Sequence, residues 1–199
     1  MTLLLTVITF TIERYLTISQ AAGKGAIANF VYNIKQLIGD GKISEAYSLC
    51  DQQKGSVANI VRAALDKYQQ VEKDGTMTKE QKVVDIQKSI EESTSLELPS
   101  LEQNLVVLST IASVATMMGL LGTVLGMIRS FAAMANAGSP DSVALSLGIS
   151  EALINTAFGI GTAAVSVIMY NFFTTKIDKL TYSIDEAGYS IVQTYASRH

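Results

Sequence analysis

Residues 104–131 read NLVVLSTIASVATMMGLLGTVLGMIRSF, and residues 149–173 read ISEALINTAFGIGTAAVSVIMYNFF. No Asp, Glu, Lys or Arg stands between Glu102 and Arg129, and none stands between Glu151 and Lys176. At 1.5 Å of rise per residue, about 20 helical residues cross the hydrocarbon core of a bilayer, so each stretch is long enough to span it. Core helices of a soluble bundle would carry charges on an outer face. These carry none, and the two stretches read as a hairpin of transmembrane helices.

A third apolar stretch, residues 1–12 (MTLLLTVITFTI), stops at Glu13 and Arg14. Twelve residues cover only about 18 Å, so it reads as a spanning helix whose first turns lie upstream, or as a short tilted insertion that thins the bilayer. A signal peptide is poorly supported, because no basic region precedes the stretch and no small-residue cleavage site follows it. The expected fold is therefore an all-α membrane protein of three transmembrane helices, the first one partial, with a helical region between the first and the second.

Composition agrees. Charged residues make up 17% of the 199, against about a quarter in soluble chains, and the mean hydropathy is +0.29. A net charge of −3 leaves no basic footprint for nucleic acid. Cys50 is the single cysteine and His199 the single histidine, which argues against an intramolecular disulfide and a zinc or heme site. The chain shows no phosphate loop, paired catalytic carboxylates or nucleophile elbow. No cofactor, no metal and no enzymatic activity are expected.

Eleven of the fifteen Lys and Arg residues lie in residues 13–103, three follow the last span, and residues 130–150 have none. The positive-inside rule then puts the large segment and the C-terminus in the cytoplasm. The resulting layout is a partial first span at 1–15, a cytoplasmic helical region at 16–103, a second span at 104–135, a short periplasmic loop at 136–148, a third span at 149–175 and a cytoplasmic tail at 176–199. Within the cytoplasmic region, Ile27, Phe30, Val31, Ile34, Leu37 and Ile38 have helical spacing, and Gly39-Asp40-Gly41 is a stop signal. Residues 43–50 and 57–71 are shorter amphipathic pieces. Thr78 with Gln81 forms a capping box for a helix through Val83, Ile86 and Ile90, and Pro99 predicts a kink or break before the second span.

In the second span Ser109, Thr116, Thr123 and Ser130 fall within about 60° of one another on a helical wheel, beside Gly119 and Gly126; Gly122 and Gly126 form a GxxxG pair. In the third span Ala152, Thr156, Gly159 and Ala163 share a face, with Ser166 at its edge. Small residues let helix backbones approach closely, and for Gly119, Gly122, Gly126, Gly159 and Ala163 helix packing is the plain reading. Thr123 and Thr156 lie near mid-span, where a hydroxyl lining a narrow passage holds water or relays a proton without a buried charge; packing alone is the alternative. If the hairpin turns near Pro140, Arg129 and Glu151 lie at one level near the outer boundary. There they either pair or line a vestibule, or else snorkel separately to the headgroups.

The motifs in residues 119–131 (GLLGTVLGMIRSF) and 148–156 (GISEALINT), together with Tyr170-Asn171, Ile12-Glu13-Arg14-Tyr15, residues 41–50 and Leu101-Glu102-Gln103-Asn104-Leu105, resemble the MotA/TolQ/ExbB group of proton-channel subunits, in particular its ExbB/TolQ branch. The likeness extends over nearly the whole chain, although Thr116 stands where family members carry a proline. It implies a pentamer of long helices in the bacterial inner membrane, enclosing helices of an ExbD- or TolR-like partner that brings a membrane aspartate. It also implies that Thr123, Thr156 and Glu151 line the proton pathway, and that proton flow drives work on a TonB- or TolA-like protein for nutrient uptake or envelope maintenance. Two other readings of the residues are a structural membrane scaffold and a flagellar-stator-like or gliding-motor subunit.

Overall fold

The computed structural model describes residues 2–136 and 142–198, which form seven helices: α1 (Thr2–Ala22), α2 (Ile27–Gly39), α3 (Ile43–Gln53), α4 (Gly55–Lys73), α5 (Lys79–Glu102), α6 (Leu105–Asn136) and α7 (Ser142–Arg198). No strand occurs among the described residues. Three helical stretches are long and apolar enough to cross a membrane, within Thr2–Gly39, Lys79–Ala135 and Leu145–Arg198. The chain divides into two compact units, an apolar one of Met1–Arg14 with Asn104–Phe173 and a polar one of Tyr15–Gln103 with Thr174–His199.

The first helix outruns its apolar stretch, continuing through Glu13 and Arg14 to Ala22, 21 residues in all. Arg14 is only 2% exposed, and its guanidinium donates to the Glu13 carboxylate from Nε at 2.6 Å and also from Nη2. A buried charge is tolerable when paired, so the dipeptide passes through the helix instead of ending it.

In the polar unit, sequence signals and structure agree closely at the turns. After α2, Gly41 takes φ +78°, its N–H donates to the Ile38 carbonyl and the Lys42 N–H donates to the Leu37 carbonyl. This is the Schellman closure that a left-handed glycine allows. The Thr78–Gln81 capping box forms in both directions. Pro99, however, lies inside α5; the chain breaks only at Gln103 and Asn104, where Asn104 takes φ +65° and the Gln103 N–H donates back to the Pro99 carbonyl. Proline forbids its own amide bond and crowds the preceding turn, and here the helix ends one turn after it.

The core of this unit is the apolar stripe of α4 (Val57, Ile60, Val61, Ala64, Leu65, Tyr68, Val71), joined by Phe30, Ile34 and Ile38 of α2, Ile86 of α5, and Ile177, Leu180, Ile184, Ile191 and Tyr195 of α7. The tail at 176–199 is thus helical through Arg198 and contributes its own stripe at steps of three and four. Tyr68 and Tyr195 meet edge to face with ring centroids 4.8 Å apart. Arg198 donates to the Gly39 carbonyl at the end of α2. Ties between elements are polar: Tyr47 Oη donates to Asp66 at 2.8 Å, and Lys67 pairs with Asp85 at 3.1 Å.

Cys50 is buried on α3. Burial first, and the neighbouring Asp51 charge second, push its thiol up to about 12. The folded chain therefore holds the proton more tightly than the unfolded one. The stability this contributes is intact below the thiol's ordinary value and is lost as the pH rises from there toward 12. Cys50 is expected to resist maleimide labelling at pH 8 in the native protein and to label rapidly in denaturant; fast native labelling would contradict its burial.

Candidate functional site

The apolar unit is built on α6 and the first part of α7. Gly119 faces Gly159, Gly122 faces Asn155, Gly126 faces Ala152, and Gly148 faces Ser130. As α6 ascends, α7 descends by equal steps, the register of an antiparallel hairpin. The approach is close because there are no side chains to hold the backbones apart: a methyl added at Gly159 would sit 2.7 Å from both the Ala115 carbonyl oxygen and Gly119 Cα, and one at Gly126 would sit 2.7 Å from Ala152 Cβ. Ala163 is buried, and Ser166 donates to the Leu108 carbonyl of α6 at 2.7 Å. The small residues singled out from the sequence lie in this contact, whereas many of the large ones face outward. Met117, Leu120, Leu125 and Ile128 of α6, and Leu153, Phe158, Ile160 and Ile168 of α7, are exposed.

Thr123 and Thr156 meet inside this contact. Their hydroxyls are hydrogen bonded to each other. Thr156 Oγ1 also reaches the Gly119 carbonyl at 3.1 Å, while Thr123 Oγ1 reaches the Gly119 carbonyl at 3.2 Å and the Ala152 carbonyl at 3.4 Å. Both side chains are half-buried. Each hydroxyl has one proton and two lone pairs, so the pair holds donors and acceptors together in a stretch without charge. Rotation of either hydroxyl trades one acceptor for another without stranding a donor.

Arg129 and Glu151 are both exposed, and no ion pair joins them among the described residues. They occupy corresponding levels of the register but are not brought together. The turn near Pro140 lies outside the described residues. Asn155, which the sequence reading passed over, stands against Gly122 one residue from Thr156. An amide at mid-span was the available signal, because an unpaired amide in lipid is costly. Among the described residues no group of three or more His, Cys, Asp or Glu is arranged to hold a metal ion.

Residues 52–186 match the model of the MotA/TolQ/ExbB proton channel family. Biopolymer transport protein ExbB-like 3 of Synechocystis sp. is 34% identical over 113 residues, 56% of this chain and 54% of that protein. The Tol-Pal system protein TolQ of Pseudomonas aeruginosa is 30% identical over 124 residues, 62% of this chain and 54% of its own. Biopolymer transport protein ExbB of Aquifex aeolicus is 38% identical over 77 residues, 39% of this chain and 52% of its own. The chain spans about half the length of these relatives. The matched region contains the whole α6–α7 contact with its paired hydroxyls, and a hairpin that buries glycine while exposing leucine and phenylalanine is that of a membrane protein; the chain belongs to the MotA/TolQ/ExbB proton channel family, in its ExbB/TolQ branch.

Proposed function

We propose that the chain is an inner-membrane proton-channel subunit whose α6–α7 hairpin forms the wall of a pore. The observation that carries this reading is the Thr123–Thr156 hydroxyl pair seated on the Gly119 carbonyl. These hydroxyls orient water and pass protons, but they do not titrate at physiological pH. Between Glu102 and Arg129, and between Glu151 and Lys176, the chain has no carboxylate to take up a proton. The titrating group comes from outside: an ExbD- or TolR-like partner with an aspartate in its membrane helix.

Copies of the chain, five in the arrangement the resemblance implies, surround the partner's helices. Their exposed apolar faces cover one another and meet lipid, because apolar surface of this extent is unfavourable in water. Glu151 and Arg129 stand at the outer mouth, and residues 13–103 with 176–199 face the cytoplasm. Proton passage then moves the partner within the ring and transmits force to a TonB- or TolA-like protein.

The test is reconstitution. Vesicles holding the chain alone should acidify no faster than lipid controls under an imposed gradient, vesicles holding chain and partner should acidify faster, and an Asp→Asn change in the partner should remove the difference. Equal flux with and without the partner would sink the proposal.

A further inference from the structure

Asn155 of α7 is exposed although it lies inside a charge-free stretch, four residues after Glu151 and one before Thr156. Its side chain lies along Gly122 of α6: a methyl added at that glycine would sit 2.9 Å from Asn155 Cβ and 3.4 Å from both Cγ and Nδ2. Gly122 thus makes room for the carboxamide on one side, and the other side is open. No hydrogen bond among the described residues engages this carboxamide. The other amides of the two charge-free stretches, Gln103, Asn104 and Asn171, belong to their opposite end. An amide brings two N–H donors and a carbonyl, and hydrocarbon satisfies none of them.

The hydroxyls nearby are already engaged. Thr123 and Thr156 carry one proton each, and their acceptors are each other and the carbonyls of Gly119 and Ala152. Thr116, Ser130 and Thr162 donate to the carbonyls of Ala112, Gly126 and Phe158. The described charged groups of the apolar unit are Glu13, Arg14, Arg129 and Glu151, so no cation stands within the stretches to meet an anion. An anion arriving beside the threonine pair finds its uncommitted donors on Asn155.

A carboxyl group matches an amide in both protonation states. As an acid it donates its O–H to the amide carbonyl and accepts an amide N–H. As a carboxylate it accepts N–H in a charge-assisted bond, about twice as strong as a neutral one. A lysine or arginine in this place would hold the anion against reprotonation, whereas an amide lets the proton return.

We infer that the Asn155 carboxamide receives a carboxyl group carried into the membrane by the partner's helix, and holds its ionised form by N–H donation beside the Thr123–Thr156 pair. This rests on the proton-channel reading above, in which the titrating group comes from another chain. The proton leaves the acid for water at the threonine hydroxyls, and the carboxylate left behind stays on Asn155 until a proton returns.

The experiment uses the full chain with its partner in vesicles. Carbodiimide modifies protonated carboxyl groups in the membrane, and mass spectrometry of the partner's helix reads the yield against pH separately from Glu151. In Asn155→Leu, which keeps the bulk and removes the donors, the pH of half-maximal labelling should rise by about one unit. Asn155→Gln, which keeps an amide, should stay near the unchanged protein. Packing against Gly122 alone would alter melting and leave the midpoint in place. An unmoved midpoint in Asn155→Leu overturns the assignment, as does an equal rise in Asn155→Gln. A loss of copies from the assembly with an unmoved midpoint also overturns it, by giving the amide to a contact between copies. Proton flux in the same vesicles separates the two readings. Partner-dependent flux with an unmoved midpoint defeats the role of Asn155 alone, whereas unchanged protein without partner-dependent flux defeats the proton-channel reading and this role with it.

Discussion

Gly159→Leu is expected to break the α6–α7 contact and lower the stability of the hairpin by about 3 kcal/mol. The atom that would receive the new side chain lies 2.7 Å from backbone on two sides, the Ala115 carbonyl oxygen and Gly119 Cα. Neither can turn aside as the end of a flexible side chain would, so the helices must separate. Separation also parts the Thr123 and Thr156 hydroxyls, since Thr156 reaches the Gly119 carbonyl only at this closest approach. Gly161→Leu is the matched control: it lies two residues away on the same helix, with nothing within 4 Å of its added carbon. Thermal unfolding in the same detergent should show a large drop for the first variant and little change for the second. Equal melting of the two would refute the claim that backbone contact at Gly159 limits the packing.

The second large effect is one of activity without loss of fold. Thr156→Val keeps the volume and removes the hydroxyl. Thr123 retains the Gly119 and Ala152 carbonyls as acceptors, and no buried donor is stranded, so melting should shift little. Proton-driven work in cells carrying the partner should nevertheless fall about 100-fold or more, the usual scale for removing a positioned proton-transfer group. Thr123→Val should do the same, and Thr156→Ser should restore most of the activity because it returns the hydroxyl. Full activity in Thr156→Val would reduce the pair to a packing contact.

How much of this was legible in the sequence depends on where the signal sat. The hairpin was readable because charge and small residues are both sorted: two charge-free stretches fix the spans, and the period of Gly119, Gly126, Thr156 and Gly159 fixes the faces. The stop at Gly41 and the start at Thr78 were readable because each uses a residue with a specific backbone or capping role. The length of α1 was not legible because a charged dipeptide marks where apolar character ends and not where a helix ends, and Arg14 is buried and paired with Glu13. The break near Pro99 falls one turn late because proline's exclusion acts on the turn before it, so the sequence marks a zone and not a residue. Arg129 and Glu151 share a level but form no ion pair; register follows from counting residues, whereas the direction of a long side chain depends on rotamers that counting does not reach.

The small residues inside the hairpin and the large ones outside it also turn the tolerance of this chain to mutation inside out. In a water-soluble domain, trimming an interior side chain is the damaging change and enlarging a surface one is harmless. Here the contact around Gly119, Gly122, Gly126, Ala152 and Gly159 has almost nothing left to trim, and an enlargement there meets the facing helix. The outer leucines, valines and methionines are exposed, so the hairpin itself tolerates a change in their size as long as they stay apolar, and only the packing of copies against one another in the proposed ring limits their drift.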